Sequence, residues 1–173
     1  MITGLIHVRR PEAPDAVEHL ADTLSALVEG VAAGLIGDAV IVAPTASMAL
    51  DTVAEGSGAR LVLHPDGASP WSAGANVARR DWILCLEAGD IPAEGWIRAL
   101  DRFVGTARSG SDMARLRRPH AGLPGRVGAG WERVVGVKRP RAGDLVRRSA
   151  LNGSAPFSPR IRPCLLPARL DRA

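Results

Sequence analysis

Residues Trp82–Leu86 form an unbroken apolar run, and Glu87-Ala88-Gly89-Asp90 closes it with two acids. Five residues are too few for a helix and suit a strand covered on both faces. Three comparable runs precede it, Ile2–Val8, Ala39–Ala43 and Arg60–His64. Between them the apolar spacing becomes helical. From Asp15 it runs through Ala16, Leu20, Leu24, Leu27, Val28 and Val31, and Gly34 and Gly37 can end the helix. Asp15 with Glu18 three residues later predicts a capping box. Further helices are expected at about Ser47–Glu55, from Ser69-Pro70 to Arg80, and over Pro92–Val104. Alternating strands and helices with short connections predict an α/β fold: one open, mostly parallel sheet flanked by helices, joined by right-handed crossovers. In such sheets ligands bind beyond the carboxyl ends of the strands. Glu87 and Asp90 fall at one of those ends.

The 173 residues suit one domain with a sizeable core. Charge divides it. Residues 1–105 hold 14 acids and 7 bases, net −7, and residues 106–173 hold 4 acids and 15 bases, net +11. This predicts an acidic α/β core over 1–105, a basic extension of the same domain over 106–151, and a Pro/Arg-rich, partly mobile tail over 152–173. In the extension, 112–117 and 134–137 suit short strands, and Gly143–Ser149 suits a turn leading into a strand or helix. Basic side chains cluster at Arg115-Arg117-Arg118 and between Lys138 and Arg148. Their simplest role is a solvated basic surface, and an anionic lipid surface is the alternative. With aromatics at 3% and no Tyr, platforms for nucleic-acid bases are scarce, so nucleic acid is not expected as a partner. Cys85 lies inside an apolar run and reads as a small buried hydrophobe, and no Cys/His spacing suggests zinc. No run approaches the length of a membrane span, and no leader pattern stands at the N-terminus. The expected location is therefore cytoplasmic, with room for contact at the inner face of a membrane.

The segment Asp81–Trp96, DWILCLEAGDIPAEGW, resembles the metal-loop region of family 2 glycosyltransferases. Other stretches resemble that family in the same order. Leu20–Leu27 is similar to its first helix. Val53-Ala54-Glu55 with Gly58–Val62 is similar to the helix-turn-strand after the nucleotide loop. Ala73-Gly74-Ala75 and Ala78–Trp82 resemble the approach to the metal strand. Gly143-Asp144 with Leu145–Arg148 resembles a later G-D-Q segment. The resemblance covers about residues 2–104 and continues more weakly to Ser149. It implies a nucleotide-diphospho-sugar transferase-like fold and transfer of a sugar from a nucleotide-diphosphate donor. It also implies a lipid-linked or polysaccharide acceptor, and Mg²⁺ or Mn²⁺ held by Glu87 and Asp90. Arg9 and Arg10, at a strand end, and Asp144 are the matching candidates for substrate binding.

The functional positions depart from the family pattern. His7-Val8-Arg9-Arg10-Pro11 stands where Pro-x-x-Asn-Glu is usual. Ala43–Met48 stands where members carry Asp-Gly-Gly-Ser-x-Asp. Gly89 occupies the place of the second metal-loop acid, and no Glu-Asp pair follows to supply a base. Inverting transfer needs a base for the acceptor hydroxyl and a cation for the leaving diphosphate. Two readings therefore stand: a metal-dependent glycosyltransferase, or a catalytically degenerate domain of that fold acting through binding. Residue by residue, Glu87 and Asp90 also suit a polar turn before a helix. Arg9 and Arg10 suit a solvated pair, Asp144 a turn, His7 a rim position, and Thr45 and Ser47 helix capping.

Overall fold

Eight strands build one sheet in the computed structural model, in the order β3-β2-β1-β4-β7-β6-β8-β5. The structure describes residues 1–65, 67–107, 112–118, 136–151, 157 and 161–173. Strands β1 (Ile2–His7), β2 (Ile36–Ala43), β3 (Arg60–Leu63) and β4 (Trp82–Glu87) pair in parallel. Strand β7 (Asp144–Arg147) pairs antiparallel with β4 and with β6 (Met113–Arg117). Strand β8 (Cys164–Arg172) runs parallel to β6, and β5 (Asp90–Pro92) closes the edge antiparallel to β8. The expected α/β class and mostly parallel sheet are what the chain adopts.

Alternation along the central strands makes two cores. Ile2 and Ile6 of β1 and Trp82, Leu84 and Leu86 of β4 face one side. There they meet α1 (Ala16–Ala32), α2 (Met48–Ser57) and α4 (Trp96–Thr106). Leu5, Ile83 and Cys85 face the other side, against α3 (Pro70–Ala75) and α5 (Arg148–Leu151). Cys85 is fully buried, as expected of a small apolar side chain, and burial holds its thiol well above the usual range. The sheet comes very close to α3 at Gly74, where a Cβ would press on Leu5 and Val42. That position leaves no room for a side chain. Among the described residues no helix is long and apolar enough to cross a membrane.

Some local expectations change. Asp15 precedes α1 but makes no side-chain cap; its carboxylate lies 3.6 Å from His19 instead. Ser47 does cap α2, accepting from Leu50 N at 3.2 Å. Helix α3 ends at Ala75 rather than near Arg80, and α4 begins at Trp96 because Asp90–Pro92 is spent on β5. The expected strand at 134–137 lies largely outside the described residues; Val137 makes an isolated antiparallel bridge with Ile161.

The larger change is at the C-terminus. The segment expected to be a partly mobile tail supplies β8, a nine-residue strand inside the sheet. Leu166, Ala168 and Leu170 are buried, while Pro167 and Arg169 face out. Burying each leucine contributes about 1.5–3 kcal/mol. The two together amount to a large part of the roughly 5–15 kcal/mol that keeps a domain folded. Ending the chain before Cys164 should therefore abolish cooperative thermal unfolding or lower its midpoint steeply. A free tail would leave the transition in place.

Candidate functional site

The parallel register sets His7 beside Glu87, so the chain leaves β1 and β4 at the same level. The loop after β1 carries Arg9 and Arg10, and the turn after β4 carries Glu87-Ala88-Gly89-Asp90. A cavity of about 160 Å³ opens between them, lined by Arg9, Arg10, Asp15, His19, Glu87 and Arg172 among others. Three of the four residues expected at this end of the sheet, Arg9, Arg10 and Glu87, line it. The fourth, Asp90, sits behind the wall.

The acidic turn is held from inside by α1. Gly89 N donates to Thr23 Oγ1 at 2.8 Å and to His19 O at 2.9 Å, and Thr23 is fully buried. Gly89 has φ +92, a backbone setting that side-chain-bearing residues adopt at a cost. Its carbonyl accepts from Ala173 N at 2.8 Å, which fastens the end of β8 to the turn.

Both acids of the turn are paired with guanidinium groups. Asp90 is wholly buried, yet Arg118 Nη2 donates to its two oxygens at 2.9 and 2.8 Å. Glu87 N donates to Asp90 Oδ2 at 2.8 Å, and Arg172 Nη1 lies 3.5 Å from Oδ1. Burial pushes the Asp90 carboxyl up from its ordinary value, opposed by the Glu87 amide and by Arg118. Glu87 is 22% exposed; Arg9 Nη2 donates to its Oε1 at 2.6 Å and Arg172 Nη1 to its Oε2 at 3.3 Å. The sequence places Arg118 only in a solvated basic cluster and gives Arg172 no role. Both come from the basic half, Arg118 from the cluster expected to be solvated and Arg172 from the segment expected to be a partly mobile tail.

Asp144 is elsewhere. It is fully buried in the β6–β7 pair, where Arg115 grips it with Nε at 2.5 Å and Nη2 at 3.0 Å, and Arg141 N donates at 2.8 Å. That arrangement ties two strands together. His7 also lines the cavity, and its ring makes edge-on contacts with His64 at 5.4 Å and Trp71 at 5.8 Å.

Solved structures share this architecture. Glucosyl-3-phosphoglycerate synthase from Mycobacterium tuberculosis, in complex with phosphoglyceric acid, matches with a TM-score of 0.58 and 17% identity over 87% of this chain and 57% of that one. Its complex with Mn²⁺, uridine diphosphate and phosphoglyceric acid matches at 0.57 and 18%, over 87% and 56%. A structure described as a mycobacterial protein matches at 0.54 and 15%, over 87% and 54%. The chain has a glycosyltransferase fold. It spans a little over half the length of these neighbours. No family model and no curated protein sequence matches it.

Neighbours of the same fold hold Mn²⁺ or Mg²⁺ with uridine diphosphate. The donor set at the Glu87–Asp90 turn does not fit such an ion. A hard divalent cation wants several free oxygens. The Asp90 oxygens face Arg118 and Arg172, Glu87 lies between Arg9 and Arg172, and Gly89 offers no side chain. Among the described residues no group of three or more His, Cys, Asp or Glu is placed to share a metal.

Two variants check this geometry. Gly89→Asp, which adds a third acid to the turn, should cost roughly 1–2 kcal/mol of stability through its left-handed backbone and gain no Mn²⁺ affinity. Denaturant unfolding and metal titration read the two effects. Burial, with help from His64, lowers the His7 pKa from 6.5 to about 4. Protonation therefore favours the unfolded chain: the stability His7 contributes is intact above 6.5 and is lost as pH falls towards about 4. The thermal midpoint should drop over that window in the wild type and drop less in His7→Gln.

Proposed function

We propose that this chain binds a nucleotide-sugar donor, with the diphosphate at the cavity between the ends of β1 and β4. One observation carries the reading. On a fold whose solved neighbours hold uridine diphosphate, the loop after β1 and the strand β8 converge three arginines, Arg9, Arg10 and Arg172, on the same end of the sheet. Guanidinium groups match phosphate oxygens in a planar fork. At about 160 Å³ the cavity is smaller than the roughly 300–1,000 Å³ of sites that engulf a drug-sized ligand, so it suits the anionic part of a donor.

The leading activity is sugar transfer from that donor. A second reading, binding without transfer, is favoured by the pairing of Glu87, Asp90 and Asp144 with arginines, which leaves none of these three as a ready base. Calorimetry with UDP, GDP and dTDP tests the common step: one should bind, and absence of binding by all three at millimolar concentration removes both readings. For the nucleotide that binds, release of nucleoside diphosphate from its glucose conjugate above the uncatalysed rate, with the glucose passed to water or to an added hydroxyl acceptor, selects transfer. Binding without release selects the second reading.

A further inference from the structure

We propose that Arg9 and Arg172 do the work of a divalent cation, so that this cavity binds a diphosphate group without metal. The inference rests on the donor reading above and specifies how the donor's charged part is met.

The observation behind it is a substitution of partners at one place. Glu87 stands between two guanidinium groups, Arg9 at 2.6 Å and Arg172 at 3.3 Å. The two arginines come from distant parts of the chain, the loop after β1 and the last residues of β8. Glu87 thus holds them at one edge of the cavity in the way a template would. Both remain accessible: Arg9 is 70% and Arg172 49% exposed. The hydrogen bonds to Glu87 use one terminal nitrogen of each, and a guanidinium carries five N–H donors. Donors therefore remain for a second anion.

The electrostatic balance points the same way. The cavity lining holds three arginines against two carboxylates, Asp15 and Glu87. Asp90, buried beside Glu87, is neutralised by Arg118 and lies 3.5 Å from Arg172 Nη1, so little of its charge faces an incoming phosphate. A divalent cation approaching Glu87 would instead meet two fixed positive charges before it met a free oxygen. The charge that a bound metal would supply is already built into the chain, and unlike a metal it cannot be chelated away.

Inorganic pyrophosphate is the direct probe, titrated into the full chain by calorimetry at low ionic strength, in EDTA and then with Mn²⁺, alongside UDP. Pyrophosphate should bind in EDTA with little gain from Mn²⁺, and Arg172→Ala and Arg9→Ala should each weaken it about tenfold or more. Arg9 is largely exposed, so its variant keeps the test valid if Arg172→Ala folds poorly. Glu87→Gln removes a competing anion as well as the carboxylate that gathers the two arginines, so pyrophosphate binding in EDTA should be retained; a metal ligand at that position would show loss instead. Binding of UDP and pyrophosphate only with Mn²⁺, abolished in Glu87→Gln, would overturn the inference and leave the donor reading standing. Pyrophosphate binding in EDTA with UDP no tighter would uphold the metal-free site and remove the nucleotide. No pyrophosphate binding in either condition overturns the inference.

Discussion

A buried carboxylate needs a partner, and the way Asp90 finds its partners organises this molecule. Asp90 is fully buried, so leaving it alone would cost several kcal/mol. Its partners are the Glu87 amide beside it and two arginines from the far half of the chain, Arg118 after β6 and Arg172 at the end of β8. Satisfying one acid therefore requires the C-terminal strands to close over the turn that follows β4. The same closure pairs β5 with β8 and joins Ala173 N to Gly89 O. Arg118 and Arg172 are 36% and 49% exposed, so solvent screens their side of each pair, and losing one costs less than the about 3–5 kcal/mol of a wholly buried pair.

The division of charge along the sequence takes on a different meaning in this light. The acidic first 105 residues and the basic remainder are partly complementary pieces of one fold. Arg118 and Arg172 reach across to Asp90 and Glu87. Within the basic half, Arg115 takes Asp144 and Arg147 takes Asp112 while its guanidinium stacks 4.6 Å over Trp82. Lys138 and Arg139 stay exposed. A basic composition is thus a poor guide to a free basic surface when acids elsewhere in the chain need neutralising.

The parallel half of the sheet was legible because buried parallel strands read as short apolar runs and their helices as 3.6-residue spacing. Trp82–Leu86 and the series from Ala16 to Leu27 are plain cases. Strand β8 carries an equally clear period-two signal, Leu166, Ala168 and Leu170 in and Pro167 and Arg169 out. Prolines at 163 and 167 hid it, since proline in a strand argues for an edge or a loop. Here Pro167 faces outward beside a register shift in the β6–β8 pair. Strand β5 is three residues long and ends in Pro92, too brief for any period. The site was half legible. Parallel strands end where ligands collect, so Arg9, Arg10 and Glu87 could be placed. Arg118 and Arg172 could not, because sequence spacing says nothing about which distant guanidinium a buried acid will recruit.

Gly89 shows that the turn differs from the metal-loop pattern it resembles by more than one missing acid. At φ +92, with its amide spent on α1 and its carbonyl on the end of β8, the turn is shaped around a residue without a side chain. Returning a carboxylate there would strain the backbone and leave Glu87 and Asp90 still facing arginines. The turn, the strand that covers it and the arginines that neutralise it form one mutually dependent arrangement. A scaffold of this kind can keep the glycosyltransferase architecture while changing what meets the phosphate, because the fold depends on the buried sheet and the chemistry depends on a few side chains at its rim.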